Sequence, residues 1–274
     1  MHPLARIAVV AGIAACWAAP LSAQWSNART ASATPNLKGP APKLTDGKTP
    51  DLSGIWAADK EPCDEAKASL GCIDAQGGIP VGFINIDGAI GAALPMQPWA
   101  EAVVKQRMAD GAKNDPASKC LPFSPPRAWA SFFYQKIIQT RESVTILDEY
   151  MLQYRQIFVD GRKLPDNPEP LFKGYSVGKW EGETLVVETA GLKDGGWLDL
   201  FGHPLTDQAR VIERIRRINV GSLEVQMTIN DPKAYTKPWS ATRHLSLAPN
   251  MELLEYVCNE NEKSLQHMVG ADAK

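Results

Sequence analysis

Leu223-Glu224-Val225-Gln226-Met227-Thr228-Ile229-Asn230 is a stretch in which apolar and polar side chains alternate without a break. Successive side chains on a strand point to opposite faces, so this pattern predicts a strand with one face buried and one in water. Val220-Gly221-Ser222 is a turn signal that joins it to a second predicted strand, residues 209–219. We therefore expect an antiparallel hairpin at the centre of the fold.

Similar runs lie on both sides of this hairpin, separated by turn signals such as Asp160-Gly161 and Glu181-Gly182. They predict strands at residues 131–140, 143–150, 152–159, 171–180, 184–189, 239–247 and 252–258, with a shorter candidate at 81–86. Only residues 98–110 predict a helix, because Pro98 suits a first helical turn and Gly111 a stop. About eight to ten short antiparallel strands predict a closed barrel or a sandwich.

The N-terminus predicts an export signal. Arg6 supplies a positive charge, residues 7–17 are apolar but too short to cross a bilayer, and Leu21-Ser22-Ala23 suits cleavage. Alternatively, Ile13-Ala14-Ala15-Cys16 is a lipobox, which would make Cys16 a lipid anchor. Both interpretations place the mature chain outside the cytoplasm, in the periplasm or secreted.

The composition predicts an ordinary globular domain after this signal. Apolar residues make up 44% of the chain and charged residues 22%, and the formal net charge is −2. A basic stripe is absent from the sequence, so we expect no nucleic-acid partner, and we expect no transmembrane segment in the mature chain. The expected organisation is a signal peptide at 1–23, a flexible lead-in at 24–50, a single β-barrel-like domain at 51–261 and a tail at 262–274.

Four cysteines remain after the signal: Cys63, Cys72, Cys120 and Cys258. An even number in an oxidising compartment predicts two disulfides, with three possible connectivities. We favour Cys63–Cys72 as a local clasp and Cys120–Cys258 as a long link. The spacing lacks the pattern that zinc prefers, and dinucleotide and P-loop motifs are missing, so we expect neither metal nor cofactor.

Gly54-Ile55-Trp56, at the first predicted strand, resembles the Gly-x-Trp opening of lipocalins and related calycin barrels. Together with the run of short strands, this resemblance implies a mainly β fold. The specific expectation is a lipocalin-like antiparallel β-barrel with one short helix and irregular Pro/Gly-rich N-terminal segments.

Several longer motifs resemble an uncharacterised family of exported bacterial proteins. They are residues 160–162 (DGR), 178–187 (GKWEGETLVV), 213–217 (ERIRR), 231–239 (DPKAYTKPW) and 255–261 (EYVCNEN). The resemblance covers residues 51–261 and implies export, but it implies no activity. The family usually has Asp at the position of Glu183 and His at that of Lys163.

Acidic residues fall in phase with apolar ones on two predicted strands. Glu213 does so in Val211-Ile212-Glu213-Arg214-Ile215, and Glu255 does so in the stretch 251–257. A carboxylate that faces a core is costly unless it is paired or protonated, and such a group can serve proton transfer. The alternatives are an ion pair with an arginine of residues 214–217, or a strand whose phase is broken by a bulge.

His203 and Tyr235 are expected on loops at the barrel mouth. His203, beside Trp197, would suit proton transfer, and the Tyr235 hydroxyl would donate to an oxyanion. A solvent-exposed histidine and a tyrosine that closes the barrel end are the alternatives.

Other residues are candidates for ligand binding. Arg214 and Arg162 would form forked hydrogen bonds with a carboxylate or oxyanion. Trp180, Trp197 and Trp239 would supply walls for an aromatic ligand. Alternatively, the arginines pair with strand carboxylates and the tryptophans are ordinary packing.

Gly174-Tyr175-Ser176-Val177-Gly178 matches the G-x-S-x-G pattern of serine hydrolases, with His203 downstream. That pattern requires a strand before the serine and a helix after it. Here a turn and another predicted strand follow, so the motif is better interpreted as a strand flanked by glycines than as a catalytic serine.

These residues predict a cofactor-independent enzyme of lyase, isomerase or hydratase type. It would act by acid–base chemistry on a small apolar or aromatic molecule inside the barrel, with Glu213, Glu255, His203 and Tyr235 as catalytic groups. A non-catalytic periplasmic binding protein and a structural envelope module are the alternatives, because such barrels host several functions.

Overall fold

The computed structural model describes residues 35–60, 79–258 and 260 of the chain. Within these residues the chain is mainly β, and nine strands close into one barrel. The strands are β1 (Gly54–Ala58), β2 (Gln135–Gln139), β3 (Ser143–Asp148), β4 (Gln153–Phe158), β5 (Tyr175–Glu181), β6 (Thr184–Ala190), β7 (Gly196–Trp197), β8 (Pro204–Leu205), β9 (Arg210–Asn219), β10 (Ser222–Asn230) and β11 (Trp239–Leu247). Their order around the barrel is β1-β11-β10-β9-β6-β5-β4-β3-β2, whereas β7 and β8 pair with each other. The expectation of a lipocalin-like barrel is confirmed.

The predicted hairpin forms the longest ladder of the barrel. β9 and β10 pair antiparallel from Leu223↔Arg217 to Asn230↔Arg210, with a bulge beside the turn. The alternating apolar residues of β10 are almost fully buried, as their spacing predicts.

The Gly-x-Trp motif lies where the barrel closes, because β1 pairs with both β11 and β2. A Cβ at Gly54 would lie 2.6 Å from Cδ1 of Leu247, so the close approach of these strands requires glycine. Trp56 is fully buried, and its indole Nε1 donates to the carbonyl oxygen of Leu52 at 3.0 Å. The guanidinium of Arg217 lies 4.9 Å from the centre of the Trp56 ring.

One pair of barrel strands departs from the antiparallel expectation. β4 and β5 run parallel and share only two register pairs, Ile157↔Ser176 and Phe158↔Val177. The connection of residues 159–174 carries the chain back along the barrel before β5 begins, so β5 runs in the direction of β4. This is the shortest ladder of the barrel and its weakest seam.

Helices cover only short parts of the described chain. They are α1 (Val81–Ile84), α2 (Ile86–Ile90), α3 (Pro98–Ala109) and α4 (Pro125–Ala128), with 3₁₀ turns at Pro116–Lys119 and Tyr150–Leu152. The helix predicted at 98–110 is confirmed, but the short strand predicted at 81–86 is wrong. There Asn85 accepts a hydrogen bond from the backbone N–H of Asp87 and caps α2, so the cap favours a helix over the strand that the β-branched residues indicate.

Across the described ranges, none of the helices has the length and apolarity needed to cross a membrane.

The prediction that residues 24–50 form a flexible lead-in is wrong for part of that segment. Its second half lies against the barrel, where the N–H of Gly221 donates to the oxygen of Leu37 at 2.8 Å and that of Val220 to Gly39 at 2.9 Å. The turn between β9 and β10 thus supplies donors that hold this segment, and the folded chain begins before residue 51.

The strand predicted at 252–258 is also wrong. β1 already pairs with β11, so this closed barrel offers no edge for a further strand. The segment instead packs on an aromatic cluster, where the ring of Tyr256 lies 5.4 Å from that of Tyr150. The predicted disulfide Cys120–Cys258 holds its end, whereas the predicted Cys63–Cys72 pair lies outside the described residues.

The Cys120–Cys258 disulfide spans 138 residues of sequence. We expect the double variant Cys120→Ser/Cys258→Ser to lose about 2–4 kcal/mol of unfolding free energy, because the unfolded chain regains the freedom of a long loop. Urea unfolding followed by far-UV circular dichroism measures this loss. An unchanged midpoint and slope would show that the link adds nothing to stability.

Candidate functional site

Glu213 faces the barrel interior, as its spacing predicts. Glu213 is fully buried between Val211 and Ile215 on the inner side of β9. The surrounding inward-facing positions are filled by large apolar side chains, among them Val144, Ile146, Ile157, Leu185, Val187, Leu223, Val225 and Met227. The interior next to Glu213 is therefore packed with side chains.

Arg155 of β4 compensates the buried charge of Glu213. Its Nη1 donates to Glu213 Oε1 at 2.9 Å, and its Nη2 donates to the second carboxylate oxygen. The indole Nε1 of Trp129, just after α4, donates to Glu213 Oε1 at 2.5 Å. A buried carboxylate that is paired and hydrogen-bonded in this way is satisfied by protein groups alone.

The remaining donors of Arg155 extend the network to two more strands. Nε donates to Ser176 Oγ of β5 at 3.1 Å, and Nη2 donates to Thr189 Oγ1 of β6 at 2.8 Å. Ser176 is the serine of the G-x-S-x-G motif, and it is buried within a strand that is followed by another strand. Its surroundings are those of a structural hydrogen-bond partner.

The structure does not bring Glu255 to Glu213. Glu255 is exposed in an irregular segment, so the expected convergence of two carboxylates in the barrel is wrong. The reason is again barrel closure, which leaves residues 251–258 outside the sheet.

His203 lies on the loop that joins β7 and β8, next to Pro204, which pairs with Trp197. It is buried, so the alternative of a solvent-exposed histidine is wrong. Its Nδ1 lies 2.6 Å from Asp199 Oδ2, and its Nε2 lies 3.5 Å from Asp87 Oδ2. Burial alone lowers the pKa of His203, but the two carboxylates outweigh it and raise the pKa to about 10. The imidazole is therefore a buried cation at neutral pH.

The Asp199 carboxylate that pairs with this cation holds the loop between β7 and β8. The backbone N–H of Gly202 donates to Asp199 Oδ1 at 2.9 Å, and that of Ile86 donates to Asp199 Oδ2 at 2.8 Å. Gly202 has a φ of +84°, and a Cβ there would lie 2.6 Å from Cδ of Arg107, so the turn requires glycine. Both nitrogens of His203 face carboxylates, and the arrangement suits positioning of the loop.

Tyr235 packs next to the His203 loop. It is almost fully buried, and its hydroxyl donates to the carbonyl oxygen of Pro204 at 2.7 Å. Burial, with the nearby Asp199 carboxylate, raises the pKa of Tyr235 well above its usual value. The centre of its ring lies 5.4 Å from that of Trp239, and the two rings meet edge to face.

The predicted ligand-binding arginines and Trp180 lie apart from this region. Arg214 is exposed and pairs with Glu181 at 3.2 Å. Arg162 is exposed, pairs with Asp160 and covers the ring of Phe158. Trp180 is half-buried on β5. These residues are not brought together into one site.

A cleft of about 80 Å³ lies between the segment 116–127 and the loop 192–197. Its apolar lining includes Leu121, Phe123, Phe172, Leu192, Trp197 and Leu205. Phe123, Leu192, Trp197 and Leu205 are buried, whereas Leu121 is exposed and Phe172 half-buried at the rim. Of the residues predicted for ligand binding, Trp197 is the one that lines this cleft.

Polar groups in the cleft are few and distinct. Arg127 and Ser124 line it from the buried side. Lys193 and Asp194 line it from the exposed rim, where Lys193 Nζ lies 4.6 Å from the Phe172 ring centre and Asp194 pairs with Lys233. Arg127 forms a two-pronged ion pair with Asp115, from Nη1 to Oδ1 at 2.7 Å and from Nη2 to Oδ2 at 2.6 Å.

Sequence reasoning missed most of these residues. Ser124 and Arg127 lie in a Pro-rich crossover without periodicity, and Phe172 and Leu192 follow loops whose paths depend on the barrel. For the His203 cluster the sequence did carry a usable signal, because Asp199 lies four residues before His203 in a glycine-containing loop. In the part of the chain that the structure describes, no group of three or more His, Cys, Asp or Glu residues is arranged to hold a metal ion.

Glu213 and Glu255 form a matched pair for a test of the buried network. We expect Glu213→Gln to lower the unfolding free energy by about 3–5 kcal/mol, because Arg155 keeps its buried charge without a counterion. Glu255→Gln should change it by less than about 0.5 kcal/mol, because that side chain is exposed. Urea unfolding measures both, and equal effects would contradict the structural role of Glu213.

His203 and His244 form a second matched pair. Because folding raises the pKa of His203 from its usual 6.5 to about 10, its contribution to stability is complete below pH 6.5 and is lost as pH rises to about 10. We expect wild-type unfolding free energy to fall in this window by about 1.4 kcal/mol per pH unit relative to His203→Gln. His244→Gln, at an exposed position, should follow the wild type. Parallel pH curves for wild type and His203→Gln would contradict the prediction.

Comparison with known proteins adds no assignment to this site. No protein-family model matches the chain, and no curated protein matches its sequence significantly. The functional argument therefore depends on the geometry of the site.

Proposed function

We propose that this protein is an exported binding protein for a small, largely apolar or aromatic molecule, which it holds in the cleft between residues 116–127 and 192–197. The supporting observation is the cleft itself, an apolar concavity with aromatic walls and a small number of polar groups. Small-molecule sites have this composition, in which apolar area supplies affinity and a few polar groups supply orientation.

The proposed ligand class is the one predicted from the sequence, but the proposed binding site is the cleft and not the barrel interior. The barrel interior near Glu213 is packed, whereas Phe123 and Trp197 bury their rings beside open space in the cleft. Aromatic walls favour a flat or apolar ligand, because offset and edge-to-face ring contacts add to the effect of burial.

The proposal is limited to binding. Catalysis by acid–base chemistry depended on two carboxylates in one cavity, and Glu213 is instead neutralised by Arg155 while Glu255 is exposed elsewhere. Likewise both ring nitrogens of His203 face carboxylates, and the Tyr235 hydroxyl already donates to a backbone oxygen. Glu213, His203 and Tyr235 are thus engaged by protein groups, and Glu255 is not among the residues that line the cleft.

The rim residue Phe172 offers a direct test, with Phe158 as its control. Both rings are half-buried and both lie under a cation, Lys193 for Phe172 and Arg162 for Phe158, but only Phe172 is among the residues lining the cleft. We expect Phe172→Ala to weaken the binding of acetophenone about tenfold, because one aromatic wall is removed. Phe158→Ala should leave the dissociation constant within about twofold.

Ligand-observed NMR titration measures these constants. Equal weakening by both variants would place binding elsewhere. If acetophenone, α-methylstyrene and benzoate all fail to bind the wild type, the proposal is wrong and a structural role in the envelope is favoured.

A further inference from the structure

Two buried hydrogen-bonding groups in the cleft are left without partners. Ser124 Oγ and Arg127 Nε have no hydrogen-bond partner among residues 35–60 and 79–258, and both atoms are shielded from solvent. Both residues line the cleft. An unsatisfied buried donor costs about 1–3 kcal/mol, so a native structure that keeps two in one place calls for an explanation.

The helix that follows Ser124 explains why its hydroxyl is left over. Serine before a helix normally accepts a hydrogen bond from a backbone N–H of the first turn. Ser124 precedes α4, which begins with Pro125 and Pro126, so of the two usual capping donors, at the second and third helical positions, only the N–H of Arg127 exists, and Ser124 makes no side-chain cap bond. The hydroxyl therefore keeps its hydrogen-bonding capacity for another partner.

The charge of Arg127 is already compensated. Its two Nη atoms bind Asp115, and its guanidinium lies over the rings of both Phe83 and Phe123, with its central carbon 5.0 Å and 4.6 Å from their centres. Among its three nitrogens, Nε is the one without a hydrogen-bond partner in the described part of the chain. A second carboxylate here would face a neutral ion pair, so it would bring an uncompensated negative charge into a buried place.

We infer that the cleft selects apolar or aromatic ligands with an uncharged carbonyl oxygen, which accepts hydrogen bonds from Ser124 Oγ–H and Arg127 Nε–H. The inference rests on the proposed binding function and names its ligand class. A carbonyl oxygen has two lone pairs and can accept both bonds without adding charge. A ligand with no acceptor leaves both donors unsatisfied, and a carboxylate carries the cost of its buried charge.

Three probes of nearly the same shape separate these possibilities. Acetophenone presents a carbonyl oxygen, α-methylstyrene replaces that oxygen with a methylene group, and benzoate replaces the acetyl group with a carboxylate. We expect acetophenone to bind at least about tenfold more tightly than either of the others, which corresponds to two hydrogen bonds to otherwise unsatisfied donors. NMR titration of the full mature protein, with its Cys120–Cys258 disulfide intact, measures all three.

Ser124→Ala removes one donor without touching the pair of Arg127 and Asp115. We expect it to weaken acetophenone about fivefold to tenfold and to leave α-methylstyrene unchanged or slightly tighter, so that the preference between the two shrinks. Ser131→Ala is the matched control, because Ser131 is equally buried near α4 but is not among the residues lining the cleft. The control should keep the wild-type preference.

The outcomes distinguish this inference from the function on which it rests. If all three probes bind equally and Phe172→Ala weakens all of them, the binding function stands and the carbonyl preference is wrong, since ordered water then satisfies the two donors. The preference is also wrong if benzoate binds most tightly, or if Ser124→Ala leaves the selectivity unchanged. If none of the probes binds, the binding function fails and the inference fails with it.

Discussion

The buried pair of Arg155 and Glu213 is the interaction on which the barrel most depends. The seam between β4 and β5 has only two register pairs, so backbone hydrogen bonds hold it weakly. Arg155 starts on β4 and reaches Ser176 on β5, Thr189 on β6 and Glu213 on β9. One side chain thus ties four strands together across the place where the sheet is least continuous. The cost of burying two charges is offset by this number of well-aligned hydrogen bonds.

The same physical solution recurs outside the barrel. Arg127 with Asp115 fixes the Pro-rich crossover, and His203 with Asp199 and Asp87 fixes the glycine-containing loop. Each cluster puts a cation and at least one carboxylate in a buried place beside apolar side chains. The two loops then stand as the walls of the cleft, although their backbones have little regular structure. A barrel with a filled interior can in this way present a concave surface at its periphery.

Much of the fold was predictable, because strand periodicity is a local property. β10 shows it most clearly, since its alternation determines which face is buried regardless of its neighbours. The helix that begins at Pro98 followed from equally local signals. Residues 252–258 carry a similar alternation and yet form no strand, because a strand needs an edge to pair with, and β1 had already taken the edge of β11. Glu255 was misplaced for the same reason.

The sequence by itself determined the mainly β class and the inward phase of Glu213, and it favoured Cys120–Cys258 among three possible disulfide connectivities. These follow from spacing, from the cost of an unpaired strand face and from the small number of cysteines. Only the tertiary structure decided that Arg155 pairs with Glu213, that His203 is a buried cation, and that Ser124 and Arg127 meet in one cleft. The contacts of Arg155 with Glu213 and of His203 with Asp87 join residues dozens of positions apart. Their formation, and the cleft that Ser124 and Arg127 line, depend on how the strands close and where the loops cross, which no local pattern encodes.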